Sequence, residues 1–289
     1  MLVIAGFIVV LVATLGGFIL AGGNPLVLVH VSEFVVIGGI AIGILLTATP
    51  MATLKLTISQ ILGAMKGAGS SKGEYFDLLK VLYELFNLGR KSGVIALEEH
   101  LTNPKESSIF KKYPSFVGNH HRVDFLCNSL RPIVDGRIKP EQLDAVLDND
   151  IAAKEEEAEG PIHVLQLIGD SLPGVGIVAA VLGIINTMAA IADGPAAVGE
   201  RVAAALTGTF LGILAAYGFV NPLAARIKAG NGVQLLYYVA IKKGVVSFAN
   251  GFAPLMAVEI SRRCLDHSVQ PGPDEMEKTL KSMGSGGGH

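Results

Sequence analysis

Two uncharged stretches hold the polar side chains best spaced to act together. In SLPGVGIVAAVLGIINTM (171–188), Pro173, Ala180 and Thr187 recur every seven positions, so a helix places them on one face. Gly176, Ala179 and Gly183 keep the neighbouring surface small. Further along, Gly208 and Gly212 form a GxxxG pair, with Thr209 beside them and Tyr217 two turns on. Small residues at such spacing let helix backbones approach closely. Spacing alone leaves two readings open: plain packing inside one subunit, or a tightly packed oligomer whose inner wall carries a few hydroxyls. Ion passage through a low-dielectric wall needs a carboxylate or a ring of polar ligands, and an ionisable side chain inside a membrane is a functional site by default. Here Glu33, Asp170 and Arg201 all fall at the ends of apolar stretches and none at a centre. If this chain conducts ions, a partner must supply the titrating group. Nothing resembles a catalytic His/Cys/Asp constellation, a phosphate-binding loop or a metal-ligand spacing, so neither enzyme nor cofactor chemistry is expected.

The elements that must position these residues follow from composition. Of 289 residues, 51% are hydrophobic and only 17% charged, and the mean hydropathy is +0.52. Residues 1–32 carry no charge, whereas 66–159 are densely charged, the pattern of lipid-embedded segments joined to a soluble domain. A net charge of -2 gives no argument for nucleic acid. Cys127 and Cys264 lie in charged stretches and read as ordinary reduced thiols. A helix needs about 20 apolar residues to cross a bilayer, and four windows qualify: 2–21, 34–54, 171–192 and 202–222. Pro50 is expected to kink or end the second. The first lacks a basic leader and is followed closely by another apolar run, so it reads as a retained span. The loop 22–33 has no Lys or Arg and the loop 193–201 has only Arg201; the other 22 of the 23 basic residues lie in 55–154 and 226–281. The positive-inside rule then places both short loops outside and both termini in the cytoplasm.

The fold expected is all-α: a polytopic membrane protein with four transmembrane helices and a helical cytoplasmic domain. Its divisions are 1–54 (first two spans), 55–170 (cytoplasmic domain), 171–222 (last two spans) and 223–289 (cytoplasmic extension ending in the flexible GSGGGH). Within the soluble part, Ser70 or Ser71 is a candidate N-cap, and Tyr75, Leu78, Leu79, Leu82, Leu85 and Phe86 mark one buried helical face. A short helix 94–101 and another at 120–134 follow. From Pro140 a helix is expected to stop at Gly160-Pro161 and to re-form into the third span. His120-His121 and Glu155-Glu156-Glu157 read as surface.

At DSLPGVGIVAAVLGIINTM (170–188) and GTFLGILAAYGFVNPLA (208–224), the chain resembles the paired signature of the MotA family of flagellar stator subunits. The likeness continues through GFIVVLVATLGGFILAGG, the Glu33-containing start of the second span, and NPKESSIFKKYP (103–114). It covers essentially the whole chain in order. The resemblance implies an inner-membrane ring of five subunits, embedded in lipid, around two copies of MotB, whose single span brings the missing carboxylate. Ion flow at that interface would turn the ring and drive the rotor protein FliG. Carried over residue by residue, Pro173 and Pro222 match the prolines that couple ion passage to movement. Thr209 and Tyr217 match pathway-side polar residues, and Asp170 the acid at the cytoplasmic mouth. Ala180 stands where sodium-type relatives carry threonine; a methyl cannot ligate sodium, which favours protons. Arg90 and Glu98 coincide with the family's rotor-contacting charges, and Asp150 is a further acidic candidate. The related ExbB/TolQ energisers have three spans, against four here. A self-sufficient transporter would need its own intramembrane ionisable site.

Overall fold

The computed structural model describes residues 2–67, 72–188, 191–267 and 270–285. The helices are α1 (Leu2–Leu20), α2 (Val31–Ala48), α3 (Met51–Lys66), α4 (Lys72–Ser92), α5 (Glu98–Thr102), α6 (Pro114–Val117), α7 (His120–Val134), α8 (Pro140–Met188), α9 (Pro195–Leu214), α10 (Asn221–Ala249), α11 (Pro254–Arg263) and α12 (Pro273–Ser285). Among the described residues there is no strand. Four stretches are helical and apolar enough to cross a membrane: Leu2–Leu20, Pro25–Ala48, Pro140–Met188 and Pro195–Ala249. In the two longest, the apolar windows occupy only the part next to the α8–α9 connection.

The chain folds into two compact units, Met1–Ala68 with Ala158–Gly230, and Gly69–Glu157 with Asn231–His289. This division by packing differs from the division by hydropathy. Ile162 and Leu165 of α8 bury against Ala224 and Ile227 of α10, with Ile61 and Ala64 of α3 alongside. Apolar turns just beyond the spans thus join the first unit, although their sequence is too polar to count as membrane.

Proline explains where the helices differ from expectation. Pro50 ends the second span as anticipated: Thr49 before it is extended (φ -123°, ψ 123°) and α3 restarts behind it. That span also begins at Val31, three residues earlier than hydropathy placed it, because Asn24 and Pro25 fold the preceding loop into a short 3-10 turn, Pro25–Leu28. By contrast, α8 does not stop at Gly160-Pro161. It runs 49 residues through both Pro161 and Pro173. A proline removes one hydrogen bond and bends a helix; the strong helix formers of 152–159 before it and the burial of Ile162 and Leu165 after it carry α8 through. Most of the expected outer loop 193–201 is likewise helical, since Pro195 at the first position starts α9 directly after Gly194.

The second unit has a conventional core. Tyr75, Leu78, Leu79, Leu82, Leu85 and Phe86 on α4 are all buried, as their spacing predicts, and pack with α7, α10, α11 and α12. α12 goes beyond the sequence expectation: Met276 and Leu280 are buried, and the helix reaches Ser285 of the supposed tail. The short helix expected at 94–101 is a 3-10 turn, Val94–Leu97, followed by α5. Candidate caps Ser70 and Ser71, and residues 286–289, lie outside the described residues.

Candidate functional site

The site is built on α8 and α9, which run antiparallel at backbone contact. A Cβ on Gly212 would lie 2.5 Å from the Leu172 carbonyl oxygen; one on Gly176 would lie 2.8 Å from the Gly208 carbonyl oxygen; one on Gly183 would meet Ala205 Cβ at 2.8 Å. Any side chain at these positions would push the helices apart. The small-residue stripe therefore serves packing inside one chain. At the end next to the α8–α9 connection, Arg201 Nη1 donates to the Asn186 carbonyl oxygen at 3.0 Å, satisfying one of the last carbonyls of α8 and pinning α9 to it.

The predicted pathway residues distribute unevenly around this pair. Ala180 is 7% exposed, and its backbone nitrogen lies 3.2 Å from where a Gly208 Cβ would sit. Thr209 flanks the same crossing, its Cα 3.3 Å from a Cβ on Gly176. Thr187, on the Ala180 face, is also buried and returns its hydroxyl to the Gly183 carbonyl oxygen at 2.8 Å. Pro173 is half-buried one residue beyond Leu172, while Asp170 and Pro222 are exposed. Tyr217 is 66% exposed, its ring turned away from the core of Ile37, Leu172, Val175, Ala179 and Ala216. The structure thus groups Ala180, Thr209 and Thr187 on the α8–α9 seam and leaves Tyr217 projecting outward.

Sequence reading missed a wide turn. Between α9 and α10, Ala215–Val220 is π-helical. Pro222 has no N–H and its ring would strike the carbonyl four residues earlier; fitting an extra residue into the preceding turn relieves that clash. Tyr217 sits inside this turn. Next to it, the Asn221 side chain packs onto Gly169, where no Cβ could fit, and Asn221 Oδ1 is buried without a hydrogen-bond partner. The signal was present in the proximity of Pro222 to a Gly-containing apolar run, but a periodicity argument assumes a uniform pitch. Glu33, read as a membrane-edge acid, is 5% exposed; it lies in the first turn of α2, where the helix dipole favours a carboxylate, and accepts from Ser32 Oγ at 3.3 Å.

In the second unit, Arg90 lies in the last turn of α4, which ends at Ser92; the chain then passes through Gly93 (φ +85°) and the turn Val94–Leu97 to Glu98 at the start of α5. Both are exposed. Arg90 is not wholly free: its Nη1 donates to the Gly251 carbonyl oxygen at 3.1 Å. Asp150 is exposed on α8, separate in sequence and element from that pair. Buried charges, which sequence did not single out, hold this unit. Arg122, 2% exposed, stacks its guanidinium 3.9 Å from the Tyr237 ring centroid, donates to Glu74 at 2.7 Å and reaches Gln234 at 3.2 Å. Lys242, 2% exposed, bridges Asp144 (2.9 Å) and Asp148 (2.5 Å). Burial works against the Lys242 ammonium, yet the hydrogen bonds it donates to both carboxylates raise its pKa, and the same ammonium lowers that of Asp144. Hydrogen bonds from Arg262, and then Arg263, hold the Glu259 carboxyl down at about 2 against burial. Burial pushes the Cys127 thiol up to about 12, which keeps it unreactive.

These features define a class first: a helical, multi-pass membrane protein whose central helix pair is closed by glycine along two stretches, 171–188 and 202–214, that carry no charged residue. Residues 4–93 match the model of the Motility protein A N-terminal region, and 118–238 that of the MotA/TolQ/ExbB proton channel family. The chain is 37% identical to Motility protein A of Salmonella typhimurium over 98% of its own length and 96% of that protein, and equally so to that of Escherichia coli. It belongs to the Motility protein A family. Among solved structures, that of C. jejuni MotAB superposes with a TM-score of 0.76 at 25% identity, covering 92% of this chain and 95% of that one. The flagellar MotAB stator complex from Bacillus subtilis gives 0.72 at 21% identity over 95% and 98%, a likeness of fold.

Proposed function

We propose that this chain is a stator subunit of the bacterial flagellar motor that works with MotB to convert ion flow across the inner membrane into torque. The observation that carries the reading is the near-full-length likeness to Motility protein A; the geometry supplies its physical sense. Apolar stretches sealed by Gly176, Gly208 and Gly212 and lacking a carboxylate cannot relay ions alone, and a partner span bringing one completes the path. One charge falling through about 100 mV releases ~2.3 kcal/mol, enough to bias a stepping motion.

In this reading the subunits form a ring of five around two MotB helices in the lipid of the inner membrane, with both termini cytoplasmic. Ala180 and Thr209 mark the level of the ion path, and Asp170 eases exit at the cytoplasmic mouth. Pro173 and Pro222, each a point of missing hydrogen bonding, let α8 and the π turn flex with each ion; Tyr217, within that turn, faces the moving partner. Protons fit Ala180 better than sodium does. Arg90 and Glu98, with Asp150, meet FliG through opposite charges that steer a contact made and broken repeatedly. The match of residues 4–93 to the MotA-specific N-terminal model weighs against the three-span energisers.

The test is rotation speed in a stator-deficient strain carrying this chain with its own MotB, varying the proton gradient and external sodium independently. Speed that follows the proton gradient alone is expected. Speed that tracks sodium would keep the motor and overturn the ion assignment, and an assembled complex that turns nothing would sink the stator reading.

A further inference from the structure

The end of the second unit that carries Arg90 and Glu98 also carries apolar surface. Ile95, at the apex of the Val94–Leu97 turn, is 71% exposed, the highest value for a large apolar side chain among the described residues of this unit. Phe252 is 47% exposed on a second turn, between α10 and α11. The two turns are built alike. Each begins at a glycine with positive φ, Gly93 at +85° and Gly251 at +83°, a conformation that residues with a Cβ rarely take. The Arg90–Gly251 hydrogen bond ties them together. Beneath them Leu97 is fully buried, and Phe86 stacks on Phe248 at 4.7 Å. Gly89 leaves no room for a Cβ against Phe248, 2.7 Å away. A well-packed base therefore holds two apolar side chains outward.

A single exposed apolar residue needs no explanation. This arrangement differs in its surroundings: exposed Arg90 and Lys91 precede the Ile95 turn, and exposed Glu98 and Glu99 follow it. An apolar centre with a charged rim of both signs is the anatomy of a protein docking site, where the centre sets dwell time and the rim steers encounter.

We infer that Ile95, with Phe252 on the adjoining turn, is the apolar anchor of a docking surface. Its occupant is a protein surface of complementary pattern: an apolar side chain set between an acidic group, facing Arg90 and Lys91, and a basic group, facing Glu98 and Glu99. The inference rests on the reading of this end as the rotor-facing one, and adds to the charged pair the contact that keeps the partner in place between steps. Arg90 then has two tasks, joining the turns through one donor and offering the others to the partner.

The experiment uses the whole chain with its own MotB in a stator-deficient strain, with the stator tagged so that its dwell at single motors is timed. Ile95→Ser is the deciding variant, because a side chain so exposed is not needed for folding; Phe252→Ser and Ile95→Leu accompany it. Membrane level and complex yield are measured for each. Ile95→Ser is expected to shorten dwell about fivefold, Phe252→Ser to shorten it less, and Ile95→Leu to leave it near wild type, all with normal yield. Wild-type dwell in Ile95→Ser overturns the anchor, and does so even when Arg90→Ala shortens dwell, since charge alone would then hold the partner. The parent reading is judged separately, by whether the unsubstituted chain drives rotation at all.

Discussion

The two compact units of this chain are held together in opposite ways. In the first, α8 and α9 meet through glycines, with carbonyl oxygens and Cα atoms where side chains would stand, and the stretches that cross carry no charge. In the second, large side chains fill the core and two buried cations, Arg122 and Lys242, tie helices through carboxylates. The difference follows the solvent. Lipid offers no hydrophobic driving force for side-chain burial between helices, so close backbone packing does the work. Water supplies that force in the second unit, where a buried cation is tolerated once hydrogen-bonded.

The largest effect that bears on this contrast is expected at the glycine seam. Gly176→Val or Gly212→Val forces a side chain into backbone and is expected to abolish complex assembly, a loss of more than about 3 kcal/mol. Gly199→Ala, whose added methyl meets nothing within 4 Å, is expected to leave assembly intact. Equal yields of all three by size-exclusion chromatography would break the comparison. Next comes Arg122→Ala, which removes the hydrogen bonds to Glu74 and Gln234 and the stack on Tyr237. A destabilisation of about 2–4 kcal/mol is expected in thermal melts, with Arg122→Met milder because it keeps apolar bulk over the ring.

The smallest effect concerns pH. The Glu259 carboxyl, lowered to about 2 by Arg262 and Arg263, stabilises the folded state above the ordinary carboxylate range, and that stability is lost as pH falls from about 4.5 towards 2. In wild type a loss on the order of 2 kcal/mol is expected across that window. Glu259→Gln is expected to be less stable at neutral pH and to lose this part of the pH dependence. A variant whose melts keep the wild-type slope would show that the Arg262–Glu259 pair contributes nothing to folding.

Much of this was legible beforehand. The uncharged windows, the break at Pro50 and the buried face of α4 follow from hydropathy, proline geometry and helical spacing, which act over a few residues. The passage of α8 through Pro161 was not, because a proline states the cost of continuing a helix and not the strength of its flanks. Nor was the π turn at Tyr217, since one inserted residue per turn changes no composition. The roles of Arg122 and Lys242 were hidden because their partners, Glu74 and Asp144, lie far away in sequence.

By itself the sequence determined that this is a helical membrane protein with four apolar crossings, none with a charged residue at its centre, because charge and hydropathy are properties of local composition. Only the tertiary structure decided how the small residues are used. Gly176, Gly208 and Gly212 seal one chain's own helix pair, Ala180 lies buried on that seam, and Tyr217 and Ile95 stand outside their packed cores. Which face of a helix meets its neighbour depends on the crossing of two distant segments, and spacing within either one leaves that crossing unspecified.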